Sequence, residues 1–217
     1  QFILRDTNNT FLTLTQSNGY LNLNRSLVLP NTTGSTIGVI YKGADRFLHN
    51  YGTDNLFLGI NSGNFTMSGL GNTAIGNSAL DNNTTGIFNT SLGVQSLTNN
   101  TTGDNNTSLG YQSLSGNISG DNNVAIGHLT LSSNSSGLNN TGVGFRSLTA
   151  NTTGDNNVAI GNNSGATITT GSNNIAIGNA ANVPSGISNN QIRLGNTSVT
   201  YAGIQVAWTI TSDSRLK

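Results

Sequence analysis

The stretch NTTGDNNTSLGYQSL at residues 100–114 returns as NTTGDNNVAIG at residues 151–161, and this recurrence determines the fold. Both copies belong to a series with a period of 17 residues. Its main glycine recurs without interruption at Gly59, Gly76, Gly93, Gly110, Gly127, Gly144, Gly161, Gly178 and Gly195. A second glycine stands seven residues earlier, at Gly52, Gly69, Gly86, Gly103, Gly120, Gly137, Gly154 and Gly171, and fails only at Ser188. An asparagine stands four residues before the main glycine, at Asn55, Asn72, Asn89, Asn106, Asn123, Asn140, Asn157 and Asn174, with Gln191 last.

A fixed period in this range predicts a stacked repeat architecture. Composition alone also allows a disordered Asn-rich tract, since 7% of the 217 residues are charged and 34% are hydrophobic. A disordered tract, however, has no reason to keep this register. The net charge is zero, all acidic residues are Asp, and Cys is absent. These features disfavour nucleic acid and membrane partners and exclude disulfides and thiolate metal sites.

The residues before each main glycine alternate as a short β-strand. The residue next to the glycine is apolar and the one two positions earlier is largely β-branched, so we predict an inward face that includes Ile126, Ile160 and Ile177. Small residues lie between them, and we expect these to let coils of neighbouring chains, or corners, approach closely: Ala74, Ser91, Ser108, Ala125, Ala159 and Ala176. A second inward contact is predicted on the next short strand, at Leu80, Leu97, Leu114, Leu131 and Leu148.

The fold predicted from this pattern is all-β, a parallel β-solenoid (β-roll) of 17-residue coils over residues 52–195. NTTG is predicted to turn the chain, with its glycine at positive φ, and the Asn series to stack as a ladder of side-chain amides. At ~4.8 Å per coil the rod is roughly 40 Å long. Residues 1–51 are predicted to form strands and a cap, with a receptor-contact surface as the alternative role. The start at Gln1 suggests a processed piece of a longer protein.

The string GDNNVAIG at residues 120–127 resembles the head repeats of trimeric autotransporter adhesins, and the NTTG linker is similar to repeats of phage tail fibres. The resemblance covers about residues 52–195 and implies a trimer of parallel β-rolls. The 17-residue period is longer than the repeat usual in the adhesin heads.

The string NQIRLGNTSVTYAGIQVAWTITSDSRLK at residues 190–217 resembles the junction to the intramolecular chaperone of phage tailspikes and endosialidases. In that family the chaperone assembles three chains and then cuts itself off at a Ser-Asp bond with a Ser-Lys pair. The resemblance implies a cut between Ser212 and Asp213 with Lys217 as the base, and Arg215 lies within the motif. Residues 196–217 are therefore interpreted as the junction; the alternative is a solvated polar tail.

Other motifs carry weaker signals. His49 and His128 lack partners at catalytic spacing, and we interpret both as surface or packed side chains. Asp104, Asp121 and Asp155 share one repeat position, where they cap turns or, alternatively, bind calcium as a ladder. Glycosylation sequons recur at the repeat corners, for example at Asn83, Asn100, Asn106 and Asn151, where glycans on successive coils would collide.

These observations predict a structural and receptor-binding segment of a homotrimeric extracellular fibre, of a virion or a cell surface. Its partners are expected to be two further copies of the chain and a cell-surface glycan or protein receptor. No cofactor, metal or membrane insertion is expected, and no enzymatic activity other than self-cleavage. The alternatives are a bacterial adhesin head and a fibre-borne glycan depolymerase. A depolymerase normally needs paired carboxylates, and this chain has eight scattered Asp and no Glu.

Overall fold

The computed structural model describes the strands of residues 2–6, 9–14 and 21–22, together with residues 39–42 and 44–199. The strands are β1 (Phe2–Asp6), β2 (Asn9–Leu14), β3 (Leu21–Asn22), β4 (Ile40–Lys42), β5 (Asp45–His49), β6 (Leu56–Leu58), β7 (Thr73–Ile75), β8 (Thr90–Leu92), β9 (Thr107–Leu109), β10 (Val124–Ile126), β11 (Thr141–Val143), β12 (Val158–Ile160), β13 (Ile175–Ile177) and β14 (Ile192–Leu194). Within this part of the chain there is no helix, so the all-β prediction is confirmed.

The repeats form one side of a β-solenoid. Strands β6 to β14 pair in parallel, and each residue lies beside its equivalent 17 positions away, as Ala125 does with Ser108 and Gly142. The β4–β5 hairpin extends this sheet to eleven strands, with β5 antiparallel to β6. Strands β1 to β3 form a separate antiparallel sheet. The predicted 17-residue parallel solenoid is therefore confirmed.

The face of the strand that points inward is the opposite of the one predicted. Ile126, Ile160 and Ile177 are 37%, 42% and 40% exposed, whereas the middle residue of each strand from β6 to β13 is buried. The buried middle residues are Phe57, Ala74, Ser91, Ser108, Ala125, Gly142, Ala159 and Ala176. The small residues thus lie inside the single chain, so the expectation that they form contacts between chains is wrong. Their alternative role holds, because the turn on the opposite side approaches them closely, as Ser113 Oγ does to Ala125 O at 2.9 Å.

The width of the coil explains this orientation. A Cβ atom placed on Gly142 would lie 2.7 Å from Cγ2 of Thr130 and 3.5 Å from Cδ1 of Leu131, which reach across the interior from the far side of the coil. The predicted inward leucines, which include Leu131, are indeed fully buried. They fill the interior so completely that only Ala, Ser or Gly fits opposite them in most coils. Branched side chains on the strands must therefore face outward.

The leucines lie on turns and not on a second strand as predicted. Leu80, Leu97, Leu114, Leu131 and Leu148 have φ values of 48–54°, a left-handed conformation that is uncommon for a residue with a branched side chain. Two kinds of backbone bond hold them there. The Leu131 amide donates to Ser147 O of the next coil at 2.9 Å, and within the same turn the Asn134 amide donates to Leu131 O at 3.1 Å. Burial of each leucine and these bonds together offset the backbone strain.

The predicted asparagine ladder is present, and its members from Asn72 to Asn174 are fully buried. Oδ1 of Asn89 accepts two bonds from Asn106, from its amide nitrogen at 2.9 Å and from Nδ2 at 3.1 Å. Nδ2 of Asn106 also donates to the carbonyl of Gly120 at 2.8 Å. Each rung therefore satisfies the backbone of two coils in a region that water does not reach.

A second buried ladder was not predicted. Nδ2 of Asn117 donates to Oδ1 of Asn100 at 2.7 Å and to Gly120 O at 2.9 Å, so both ladders meet at the same carbonyl. The full series is Asn83, Asn100, Asn117, Asn134 and Asn151. It ends where Ile168 replaces the next Asn, which leaves Oδ1 of Asn151 without a partner. The sequence suggested that sequon residues of both ladders lie at the corners. Asn83, Asn100, Asn106 and Asn151 are instead buried inside the coil, where the folded chain cannot be glycosylated.

The two glycine series are required for different physical reasons. Main glycines such as Gly127 have φ near 135°, which strongly favours glycine. Gly103, the glycine of an NTTG turn, has no positive φ, contrary to the prediction, and neither has Gly120 in the same series. A Cβ there would lie 2.4 Å from Gly137 O and 2.5 Å from Oδ1 of Asn117. The second series is glycine because the coils and the Asn ladder approach it too closely for a side chain.

Candidate binding surface

The outward side of the parallel sheet is an apolar surface that continues from coil to coil. We call it the outer face, and define it as the first and third residues of strands β6 to β14. The third residues are Leu58, Ile75, Leu92, Leu109, Ile126, Val143, Ile160, Ile177 and Leu194. The first residues are Leu56, Thr73, Thr90, Thr107, Val124, Thr141, Val158, Ile175 and Ile192. Every one of these residues is partly or largely exposed in the single chain.

This arrangement is a large and mainly apolar surface. Nine strands at ~4.8 Å spacing give a face about 40 Å long, with no charged residue in either column. Contiguous exposed apolar patches of this extent mark interaction sites, whereas single exposed apolar residues are ordinary. The outer face is therefore the strongest candidate interface on the described part of the chain.

A short column of larger side chains borders the outer face. We call it the aromatic segment, and it consists of the residues that follow the main glycine in four successive coils, Val94, Tyr111, His128 and Phe145. The ring centroids of Tyr111 and His128 are 5.1 Å apart and those of His128 and Phe145 are 5.2 Å apart, both edge to face. All four side chains are exposed. Exposed aromatic groups in a row are a second feature of an interaction surface.

Another corner of the solenoid is polar. One exposed hydroxyl residue stands there in six successive coils, at Thr85, Thr102, Ser119, Ser136, Thr153 and Thr170. The preceding residue in most coils bonds its hydroxyl to the next coil, as Thr101 Oγ1 does to Ile118 O at 2.9 Å. Exposed Phe88 and Ile118 stand singly among Asn and Thr equivalents and form no patch. The extended apolar surface is thus confined to one side.

The repeated aspartates support turns, as predicted, and they do so between coils. Oδ1 of Asp121 accepts from the Asp104 amide at 2.8 Å, and Oδ1 of Asp155 accepts from the Leu138 amide at 2.7 Å. Oδ1 of Asp104 likewise accepts from the Ile87 amide. Within the described ranges, no group of three or more His, Cys, Asp or Glu side chains is placed to hold a metal ion.

An aromatic cluster closes the first coil. His49 is buried between Phe57 and Phe65, with ring centroids 4.8 and 4.7 Å away. Its Nε2–H donates to Ser62 O at 2.8 Å, and its Nδ1 accepts from the Tyr51 amide at 3.4 Å. Arg46 lies 4.9 Å from the centre of the Phe65 ring. This is the packed environment expected of a structural histidine.

Burial lowers the pKa of His49, Arg46 lowers it further, and the bond to Ser62 opposes both. Because the folded-state pKa lies below the ordinary 6.5, the stabilisation is present above pH 6.5 and is lost as the pH falls through the folded-state pKa. We expect the melting temperature to fall on acidification. In His49→Gln, which cannot titrate, this part of the fall should be missing from a thermal melt series. Identical pH profiles for the two proteins would contradict the assignment.

The residues predicted from the resemblance at the C-terminus, Ser212, Asp213, Arg215 and Lys217, lie outside the described residues, and of the predicted junction only residues 196–199 are described. The part of the chain that the structure covers contains no helix long and apolar enough to cross a membrane. No family model matches the chain, and comparisons with curated proteins and with solved structures found no match.

Proposed function

We propose that this protein is a structural and receptor-binding segment of a trimeric extracellular fibre, in which three copies pack through their outer faces. The observation that carries the proposal is the continuous apolar outer face on an otherwise polar solenoid. Leaving such a face in water costs free energy at every coil, and a parallel copy covers it at every coil. The chain has zero net charge, so it lacks the positive charge that would favour binding to nucleic acid or anionic lipid instead.

Three copies are preferred to two because of the resemblance of GDNNVAIG to the repeats of trimeric adhesin heads. A closed ring of three parallel rods places equivalent residues at the same height around one axis. The polar corner, with its exposed hydroxyl groups, then faces outward and keeps the fibre soluble. The small residues that were expected between chains are not needed there, since the contact is made by Ile, Leu, Val and Thr.

Replacing Ile126 by Asp should leave the single chain folded and abolish association. The side chain is outward, so the carboxylate stays hydrated in the monomer, whereas three carboxylates would be buried together in the trimer. We expect trimer affinity to fall by at least about a hundredfold. Light scattering at micromolar concentration should give three times 22.4 kDa for the unmodified chain and 22.4 kDa for the variant.

The matched control is Ser119→Asp, which places the same charge in the hydroxyl column. It should remain trimeric. A monomeric unmodified chain, or a trimeric Ile126→Asp variant, would contradict the assignment of the outer face. Binding of the purified trimer to a glycan array tests the receptor-binding part of the proposal separately.

We propose further that the fibre matures by self-cleavage between Ser212 and Asp213, on the resemblance of the C-terminal motif. Attack by Ser212 on its own carbonyl would close a four-membered ring, so we infer that the nucleophilic hydroxyl comes from another chain. It forms an ester with the Ser212 carbonyl as the Asp213 amine leaves, and water then hydrolyses the ester. Attack by Ser212 on the preceding carbonyl would instead break the bond between Thr211 and Ser212. Lys217 can act as the base only where its pKa is lowered.

In a precursor that carries the chaperone, Ser212→Ala and Lys217→Ala should each prevent release of the C-terminal fragment and leave the trimer intact. Cleavage requires the assembled state, because only assembly brings nucleophile and base together. Intact mass spectrometry distinguishes the outcomes. A mature chain that ends at Ser212 supports cleavage, and one that continues well beyond Lys217 opposes it.

A further inference from the structure

A strictly repetitive interface does not fix the axial register of the chains that form it. The outer face presents nine nearly equivalent strands, so sliding one copy by a single coil still leaves eight of the nine paired. Register is weakly specified wherever successive units offer the same side chains. A fibre built from the proposed interface therefore needs a feature that differs from coil to coil.

The column that follows the main glycine is such a feature. Asparagine occupies it in four coils, at Asn77, Asn162, Asn179 and Asn196. The aromatic segment occupies four consecutive coils between Asn77 and Asn162, with Val94, Tyr111, His128 and Phe145. The rings contact one another along the column at 5.1 and 5.2 Å, so they form one block and not isolated substitutions. Nothing inside the coil requires them, because all four side chains are exposed.

We propose that the aromatic segment sets the register in which copies of this chain associate. The inference rests on the proposed trimer, and the occupant of the surface is a second copy of the chain, since each residue of the segment stands two positions after an outer-face residue of its own coil. In a parallel three-fold assembly whose axis runs beside the aromatic segment, residues of equal number in that segment meet at equal height. In that register aromatic groups meet aromatic groups and Asn amides meet Asn amides.

Sliding by one or more coils breaks this correspondence at both ends of the segment. Phe145 of one copy then meets Asn162 of another, and an amide loses its polar partners against a ring. Each further coil of displacement adds another such mismatch. The segment thus acts as a single interruption in a uniform seam, in the way that one polar residue defines the register of a coiled coil.

Cysteine cross-linking tests the register, because the chain has no natural Cys. Thr107 and Thr141 stand two coils apart in the outer face. Their separation of about 10 Å along the axis is too long for a disulfide, which needs Cα atoms within ~7 Å. Differently tagged Thr107→Cys and Thr141→Cys chains are co-expressed and oxidised. Their mixed cross-link should form only in displaced trimers, whereas Thr107→Cys chains together should link at equal height.

The variant for the test combines Tyr111→Asn, His128→Asn and Phe145→Asn, which installs the residue already present in the same position of other coils. It should remain trimeric, and the mixed cross-link should rise at least about tenfold. A control with Asn77→Ser, Asn162→Ser and Asn179→Ser, which alters the same column outside the segment, should keep the mixed cross-link at the level of the unmodified chain.

Each outcome has a distinct meaning. A triple Asn variant that is trimeric with an unchanged mixed cross-link overturns the register proposal and leaves the proposed trimer standing. A triple Asn variant that is folded and monomeric overturns it as well, because the segment then supplies affinity and not register. A monomeric unmodified chain overturns the proposed function itself.

Discussion

Ala125→Asp should abolish folding. Ala125 is fully buried in the middle of β10, in register with Ser108 and Gly142, and the hydroxyl of buried Ser113 donates to its carbonyl at 2.9 Å. A carboxylate there has no solvent and no partner, and its desolvation costs several kcal/mol even after relaxation. The whole stability of a domain is only about 5–15 kcal/mol, and coils on both sides depend on this one. We expect loss of β-sheet circular dichroism and rapid proteolysis.

The controls for this prediction lie in the same strand and in neighbouring coils. Ala125→Ser should fold, because serine occupies the equivalent position at Ser91 and Ser108. Ile126→Asp should fold as a monomer, since its side chain points outward. If Ala125→Asp instead had the same melting temperature as Ala125→Ser, the assignment of the inward side of the strands would be wrong. Substitution by Asp at position 125 and at position 126 therefore distinguishes the inward from the outward side of the strand with the same introduced residue.

Asn106→Asp should be the most damaging single-atom change in the ladder. It replaces Nδ2, which donates to Oδ1 of Asn89 at 3.1 Å and to Gly120 O at 2.8 Å, by an oxygen that cannot donate when ionised. Two buried acceptors lose a bond, and a negatively charged oxygen is placed beside both of them. We expect a loss of about 3–5 kcal/mol in the free energy of unfolding at pH 7.

Urea unfolding measures this loss, with Asn105→Asp as the matched control. Asn105 is the preceding residue, is exposed, and has a φ of 56°, which Asp tolerates nearly as well as Asn. The control should change the unfolding midpoint little. Equal midpoints for the two variants would show that the buried ladder adds nothing to stability beyond its backbone bonds. A partial recovery of Asn106→Asp at acidic pH is expected, because protonation restores a donor.

The sequence by itself determined the period, the parallel pairing and the first Asn ladder. A residue that returns every 17 positions must lie beside its own equivalent once the chain coils, so Asn106 meets Asn89 whatever the exact shape of the coil. The burial of Leu131 and its equivalents followed from the same reasoning. The second ladder also carried a signal, since Asn83, Asn100, Asn117, Asn134 and Asn151 keep the period, but their positions within NTT-type motifs suggested surface corners.

Only the tertiary structure decided which side of each strand is the interior. The alternation of Val124, Ala125 and Ile126 fits either orientation, and hydrophobicity alone favoured the larger side chains inside. The decision is made by volume, because the interior opposite the strand is already filled by the left-handed leucine turns. That choice excludes the branched residues from the core and assembles them into the outer face. The candidate interface of this protein is therefore a consequence of how little room its narrow coil leaves inside.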